Sequence, residues 1–264
     1  MHPMINLALQ AARDAAEAIA HSSDRLDRVK IIDAHPDRFI TSMDLSADKT
    51  VLYHLQKAHP EHSYHSRVSG FIEGENKDVI WLIDPLIGNK NFAAGHTQFG
   101  VSVACQIDGV IQHGVVICPL TREEYVASRG AGARLNAHRL RVGNSKDLGN
   151  TLISLNPEHL PDDDFLNFQR ELLELGASPR ISGCTAIDII HTASDRLQGG
   201  WAATESDPGL AAASLILQEA GGLLASESGN PDYSEAAEVV FANPKLFKKL
   251  LKLRQQAASQ GSSE

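Results

Sequence analysis

Residues 79–92 read VIWLIDPLIGNKNF. Five apolar residues, 79–83, run without a break and end at Asp84-Pro85. A short apolar run that ends at an acid and a proline is typical of a buried strand that delivers a carboxylate to a loop. Gly88 and Asn89 then predict a tight turn whose backbone N–H groups could face an anion. The stretch therefore predicts a site where one carboxylate and several N–H groups meet a charged ligand.

Two amphipathic helices are predicted before this strand. The first is indicated by apolar residues at steps of three and four, which are Ile5, Leu9, Ala12, Ala16 and Ile19. The second covers residues 41–58, where Met43, Val51 and Leu55 have helical spacing. Asp44 and Ser46 are candidates for capping its start.

A histidine-rich segment follows the second helix and contains His54, His59, His62 and His65. Clustered histidines can bind a transition metal. Pro60, Glu61 and Ser63 interrupt any regular ligand geometry, so a solvated helix end and loop is the favoured interpretation.

The chain after residue 92 predicts an antiparallel meander. Residues 101–105 alternate apolar and small or polar side chains, Asp108-Gly109 is a two-residue hairpin signal, and residues 110–118 form the return strand. Residues 122–127 continue the meander, and RGAGARLN at 129–136 predicts a turn before a short strand at 140–142. The first half is therefore expected to be two helices on an antiparallel sheet.

The second half is predicted to alternate strands and helices in an α/β layer. Polar residues 143–148 are the expected boundary between a lobe at 1–145 and a lobe at 146–264. Strands are predicted at 151–155, 200–203, 223–225 and 239–242, and helices at 164–175, 185–193, 210–220 and 244–253. Gly221-Gly222 is a C-cap signal. Phe165, Phe168 and Leu175 are expected on one helix face, and the last ten residues are expected to be disordered.

The composition limits the classes of function. Of 264 residues, 42% are apolar and 22% charged, as in soluble globular proteins, and the net charge of −9 argues against direct DNA or other nucleic-acid binding. Three cysteines without a CxxC spacing predict buried, reduced thiols. The N-terminus lacks the pattern of a signal peptide, and no apolar run reaches bilayer length, so we expect a cytoplasmic protein.

Several short strings occur in an order that resembles a known family. They are SGFIEG at 69–74, WLIDP at 81–85, Asn91-Phe92, RGAGARLN at 129–136, LAAASLILQEAGGL at 210–223 and FANPKLFK at 241–248. Together they resemble the inositol monophosphatase superfamily and, within it, the bacterial SuhB-type branch. The resemblance implies a layered αβαβα sandwich of mixed α+β and α/β character, a homodimer, and magnesium-dependent hydrolysis of phosphate monoesters such as inositol 1-phosphate.

The resemblance also implies which residues would hold magnesium. The first aspartate of the family's central motif is kept as Asp84, and the following carbonyl position is Leu86. Asp44 is retained as well. The family's flexible metal loop falls near Asp33 and Arg38, and a substrate-contacting glutamate falls near Ala202.

The other functional positions of the family carry different residues here. Arg67-Val68 stands in place of a Glu-Glu pair, and Pro208-Gly209 stands in place of a late Trp-Asp pair. In the central motif, Ile87 replaces the second aspartate and Asn89 replaces the threonine. Magnesium requires carboxylates because Coulomb attraction must offset its dehydration. Asp84 and the Leu86 carbonyl alone form a weak, vestigial metal site, so no intact catalytic set is expected.

The favoured functional hypothesis is a binding or regulatory protein that needs no cofactor. The resemblance to the SuhB-type branch implies a role in ribosomal-RNA transcription antitermination with RNA polymerase and Nus factors. The alternative is a residual Mg²⁺-dependent phosphatase that uses Asp84, Asp44 and a histidine such as His65. A third hypothesis is a metal-free anion site at Arg67, Gly88 and Asn89, against which a simple Arg67–Asp84 salt bridge is favoured.

Overall fold

The computed structural model describes residues 2–35, 38–157, 163–203, 208–234 and 236–261. The helices are α1 (Pro3–Ser23), α2 (Ser42–Ala58), α3 (Asn89–Ala93), α4 (Asp163–Glu174), α5 (Thr185–Ala193), α6 (Gly209–Glu219) and α7 (Pro244–Gly261). The strands are β1 (Ile31–His35), β2 (Arg38–Thr41), β3 (His62–Ser66), β4 (Gly70–Ile72), β5 (Asn76–Ile87), β6 (Gly100–Ile107), β7 (Val110–Cys118), β8 (Glu123–Ser128), β9 (Gly132–Leu135), β10 (His138–Arg139), β11 (Leu152–Asn156), β12 (Ser178–Arg180), β13 (Gly199–Ala203), β14 (Leu223–Ser226) and β15 (Glu238–Ala242).

The first large sheet has the strand order β10-β9-β8-β7-β6-β5-β3-β4. It is not purely antiparallel as predicted, because β3 pairs with β5 in parallel. The histidine-rich segment contributes β3, so the prediction of a solvated loop is wrong there. Tyr64, at the centre of β3, is 1% exposed, and this burial overrides the polar character of its neighbours.

Strand β5 extends past Asp84-Pro85, where the sequence predicted its end. The pairing changes from Asp84 opposite Ser102 to Ile87 opposite Gly100, so β5 holds one extra residue. Such a bulge interrupts the ladder locally and is one of the few places where a sheet tolerates proline. The bulge carries the strand onward to Gly88, whose positive φ of 69° starts α3 instead of the predicted tight turn.

The predicted hairpin at Asp108-Gly109 is confirmed. Both residues have positive φ, 50° and 76°, as a type I′ turn requires. The predicted position of the last short strand is wrong: β10 lies at His138–Arg139 and not at 140–142. A tight turn at Asn136, with φ of 53°, brings the return strand back earlier than predicted.

The second sheet has the order β12-β11-β13-β15-β14, with β12, β11 and β13 parallel and the other pairs antiparallel. The edge strand β12 was not predicted, and it contains Pro179, which an edge accommodates. Leu175 is 49% exposed, contrary to its predicted place on the buried face. Helix α4 ends at Glu174, and Gly176 with φ of 79° closes it.

Helix α7 continues to Gly261, well beyond the predicted end at residue 253. Arg254 is 5% exposed and forms an ion pair with Glu238 at 2.6 Å, and Ala257 is fully buried. The predicted disordered tail is therefore helical up to Gly261, because these residues pack on the second sheet and favour helix. Residues 262–264 lie outside the described residues.

The elements form five layers, which confirms the predicted αβαβα sandwich. α1 and α2 cover one face of the first sheet, α5 and α6 lie between the two sheets, and α4 and α7 cover the far face of the second sheet. The middle layer shares one apolar core with both sheets, for example through Val116 and Phe241. The lobe boundary at residue 145 stays a prediction.

The three cysteines are free and buried, as predicted: Cys105 lies in the core under α1 and α2, and Cys118 and Cys184 lie in the core between the sheets. Burial raises the pKa of Cys105 to about 12. Burial likewise raises the pKa of Cys118 to about 12, so neither thiol is ionised near neutral pH.

Candidate functional site

The turn between β3 and β4 is held rigidly and carries Arg67 into the protein. Asp48 of α2 accepts hydrogen bonds from the hydroxyl groups of Ser66 and Ser69 on either side of Arg67. The Arg67 backbone N–H donates to the Ile83 carbonyl of β5 at 3.0 Å. The turn therefore fixes where the Arg67 side chain begins.

The Arg67 guanidinium lies between two buried carboxylates. Its Nη2 is 2.6 Å from Asp44 Oδ1, and its Nε is 2.9 Å from Asp84 Oδ2. Nη2 also donates to the Leu86 carbonyl oxygen at 3.1 Å. The Asp44 and Asp84 side chains are 0% and 4% exposed, and Arg67 is 24% exposed. Sequence positions far apart in the chain thus meet in one charged cluster.

Asp44 has a second role at the start of α2. The N-cap is Thr41, whose backbone N–H donates to Asp44 Oδ2 at 2.8 Å in a capping box. Asp44 is thus confirmed as a capping residue, whereas Ser46 takes no part in the box. The other Asp44 oxygen accepts from Arg67 and from Asn89 Nδ2 at 3.1 Å. Both oxygens of this buried carboxylate are engaged.

The charges in this cluster are strongly coupled. Burial lowers the pKa of Arg67, but the carboxylates of Asp84 and Asp44 raise it by more, so the net shift is above its already high ordinary value. The guanidinium therefore stays protonated at any pH at which the protein is folded.

The oxygen atoms in the cluster do not fit a magnesium ion. The family leads us to expect two metal ligands here, the Asp84 carboxylate and the Leu86 carbonyl oxygen. Both accept hydrogen bonds from Arg67. Mg²⁺ would need these oxygens at about 2 Å, in a near-octahedral arrangement. An ion that close to both would overlap the guanidinium, so magnesium and Arg67 compete for one place.

The remaining replaced positions offer no carboxylate. Ile87 is 3% exposed and packs in the core between the sheets. Gly209 begins α6, and its carbonyl accepts a hydrogen bond from Ser102 Oγ at 2.8 Å. Pro208 is the N-cap of α6, and the Val68 backbone N–H donates to Ser66 Oγ at 3.1 Å.

At the expected anion cradle, the Asn89 side chain and the Gly88 backbone both contact other parts of the protein. The Asn89 side chain donates to the Phe39 carbonyl and to Asp44. A Cβ on Gly88 would lie 2.4 Å from the Gln98 carbonyl oxygen, so this backbone is packed closely. Arg67, the cation expected to attract an anion, already faces two carboxylates.

The other residues assigned by resemblance are not brought to the cluster. Arg38 Nε lies 3.8 Å from Asp33 Oδ2 in the β1–β2 hairpin, an exposed and weak ion pair. Ala202 is buried within β13. The hairpin itself was not predicted from the sequence.

The histidine-rich segment is divided by the fold. His54 Nε2 pairs with Asp14 of α1 at 2.8 Å, and His65 packs against the ring of Phe71. Only His59 and His62 meet, with stacked rings 4.4 Å apart.

His59, Glu61 and His62 place three potential metal ligands within 4.8 Å of one another. The indole N–H of Trp81, however, donates to His62 Nδ1 at 3.1 Å. Neutral His62 therefore carries its proton on Nε2, the nitrogen that faces Glu61 at 3.3 Å. Binding a metal there would move the proton to Nδ1, against the Trp81 N–H, so this neighbour opposes coordination.

Sequence reasoning missed two buried acids that accept several hydrogen bonds, one beside the Arg67 turn and one on α5. Asp48 lies four residues after Asp44 on α2, a spacing that puts both carboxylates on one helix face and could have been recognised. Asp188 of α5 accepts three hydrogen bonds at 2.6 Å, from Ser154, Asn156 and Ser182. Burial raises the pKa of Asp188 despite these bonds.

The chain belongs to the inositol monophosphatase family, whose model matches residues 1–259. Among relatives, Nus factor SuhB of Pseudomonas aeruginosa is 38% identical over 258 residues, which covers 95% of each chain. Nus factor SuhB of Escherichia coli K12 is 32% identical over 254 residues, again 95% of each chain. The predicted family and its SuhB-type branch are confirmed.

Solved structures agree in fold. Extragenic suppressor protein suhB from Bartonella henselae superposes with a TM-score of 0.93 at 27% identity, covering 97% of this chain and 99% of that one. An IMPase from Thermotoga maritima gives 0.88 at 22% identity, covering 98% and 100% of the two chains. Among the described residues, no helix combines the length and apolarity that crossing a bilayer requires.

Proposed function

We propose that this chain is a family member without magnesium-dependent phosphatase activity that acts as a binding protein of the transcription machinery. The observation that carries the proposal is the Arg67 guanidinium, which contacts Asp44, Asp84 and the Leu86 carbonyl. An internal cation takes the place that a catalytic metal ion would need.

The energetics support the loss of metal binding. Before Mg²⁺ could reach Asp84 and Leu86, Arg67 would have to give up three charge-assisted hydrogen bonds, each worth about 1.5–3 kcal/mol. The displaced guanidinium would then remain beside a divalent cation, which adds repulsion. With Ile87 and Gly209 in place of acids, these two positions add no carboxylate that would offset this cost.

The same geometry supports a structural role for Arg67. It joins the β3–β4 turn to α2 and β5, as a metal ion bridging these elements would. The fold around the site therefore needs no ion, and surfaces presented to a partner are expected to be independent of magnesium. The salt bridge between Arg67 and Asp84 is accordingly preferred to an anion site.

The partner assignment rests on the relatives named Nus factor SuhB. By this similarity the chain would bind RNA polymerase and other Nus factors in the cytoplasm, as a homodimer, during ribosomal-RNA transcription. The function would reside in surface contacts and not in the cluster at Arg67.

The test is retention of purified RNA polymerase and Nus factors on the immobilised protein in two buffers. One buffer contains magnesium at about 5 mM, a concentration that fills weak metal sites, and the other contains EDTA. Equal retention in both buffers is expected. Failure to retain either partner contradicts the binding role, whereas retention that requires magnesium contradicts the role given to Arg67.

A further inference from the structure

A cavity of about 330 Å³ lies between the end of α1 and the start of α2. It is lined by His21, Ser22, Arg25, Arg28, Val29, Ser42, Met43 and Ser46. Ser42 and Ser46 are each two residues from Asp44, which is about 200° around a helix. The cavity therefore lies on the opposite side of α2 from the Arg67 cluster.

The lining of this cavity is positively charged. Arg25 caps a short 3₁₀ turn and Arg28 is its last residue, and residues three apart in such a turn lie on one side. Within the described part of the chain, neither guanidinium has an ion pair or side-chain hydrogen bond. The neighbouring acids Asp24 and Asp27 do not line the cavity. Two exposed cations that have no ionic partner among the described residues thus share one concave site on a chain of net charge −9.

The hydroxyl groups around the guanidinium groups can donate hydrogen bonds. Ser42 Oγ accepts a hydrogen bond from the Lys30 backbone N–H at 3.0 Å, and its own hydrogen stays available. Ser22 and Ser46 add further hydroxyl groups. The first amides of α2 contribute nothing, because Thr41 Oγ1 already accepts from Met43 and Asp44.

We propose that this cavity binds the phosphate group of a small phosphate ester. Arg25 and Arg28 match the bidentate geometry of phosphate, and the serine hydroxyl groups complete its hydrogen bonds. Val29 and Met43 provide an apolar wall for the organic part of the ligand. The volume is at the lower end of small-molecule sites, which span about 300–1,000 Å³, and suits one phosphate with one ring. The site is independent of the function proposed above.

The test is calorimetric titration of the full chain with ribose 5-phosphate, with inorganic phosphate and with a single-stranded RNA hexamer at constant ionic strength. Saturable binding of ribose 5-phosphate is expected, tighter than that of inorganic phosphate. The double variant Arg25→Gln/Arg28→Gln is expected to weaken it by at least about tenfold. Arg141→Gln, an exposed arginine outside the cavity, serves as the matched control.

Three results would overturn the proposal. The first is the absence of saturable heat with ribose 5-phosphate up to about 10 mM, a range that covers weak sites. The second is a control variant that binds ribose 5-phosphate as weakly as the double variant does. The third is a double variant that binds it as tightly as the wild type does. Tighter binding of the RNA hexamer than of ribose 5-phosphate would overturn the assignment to a small molecule. Circular dichroism of both variants checks folding, which substitutions of exposed arginines are expected to preserve.

Discussion

The Arg67→Met variant tests whether Arg67 stabilises the protein by compensating two buried carboxylates. Methionine keeps much of the apolar volume but removes the contacts at 2.6 Å to Asp44, 2.9 Å to Asp84 and 3.1 Å to Leu86. Two carboxylates that are 0% and 4% exposed then face each other without a cation. Leaving buried charges uncompensated costs about 3–5 kcal/mol, and we expect the free energy of unfolding to fall by that amount.

Magnesium should restore part of this stability in the Arg67→Met variant. A cation that binds between Asp44 and Asp84 in the folded state alone stabilises by about 1.4 kcal/mol for each tenfold rise of its concentration above the Kd. Urea unfolding of the wild type and the variant, each with and without MgCl₂ at equal ionic strength, measures both effects.

The matched control is Arg13→Met, which breaks an ion pair of the same 2.6 Å length to Glu124. Those side chains are 49% and 27% exposed, so the loss is expected to stay below about 1 kcal/mol, without magnesium rescue. Equal small losses in both variants would contradict the role of Arg67 in compensating buried charge. So would a wild type that magnesium stabilises as strongly as the Arg67 variant.

Three further predictions address other parts of the protein. Burial and the nearby Arg196 lower the pKa of His191 to about 4 from its ordinary 6.5. The stability that the neutral, buried imidazole contributes is therefore complete above pH 6.5 and is lost as the pH falls toward 4. Urea unfolding between pH 6.5 and pH 4 should show a fall of at most about 3 kcal/mol in the free energy of unfolding from this cause. The His191→Gln variant should lack this pH-dependent fall. Asp188→Ala removes the acceptor of three hydrogen bonds, two of them from the buried Ser154 and Asn156, and should lower the free energy of unfolding by about 3 kcal/mol. Asp188→Asn, which keeps an acceptor oxygen, should cost less, and equal losses would contradict this. Trp81→Phe frees His62 Nδ1 to carry a proton and should tighten Zn²⁺ binding, measured by calorimetry, by about tenfold, while unchanged affinity would contradict the role of the indole N–H.

Local sequence signals predicted those elements whose structure is decided locally. The Asp108-Gly109 hairpin depends on two residues that tolerate positive φ, and α5 was predicted at its observed bounds because its apolar residues and ends are all in the sequence. Errors arose where distant residues decide. The bulge in β5 follows from pairing with β6, and the last turns of α7 depend on the Arg254–Glu238 ion pair.

The candidate site shows the same division. The favoured Arg67–Asp84 salt bridge is present at 2.9 Å, yet the second contact to Asp44 requires α2 to pack against the β3–β4 turn, which no local pattern reveals. Ile87 was read as a site position, and the structure buries it in the core after the bulge. A variant that restores acids by Ile87→Asp or Gly209→Asp would therefore bury a charge, because both positions are buried.

Under the proposed function, the Arg67 guanidinium takes the place of the catalytic metal ion. The most direct measurement is a calorimetric titration of the wild-type chain with magnesium, combined with phosphate release from inositol 1-phosphate on the same sample. We predict no saturable heat and no release above that of a heat-inactivated sample. Saturable magnesium binding together with turnover that Asp84→Ala abolishes would contradict the account and establish the residual phosphatase instead.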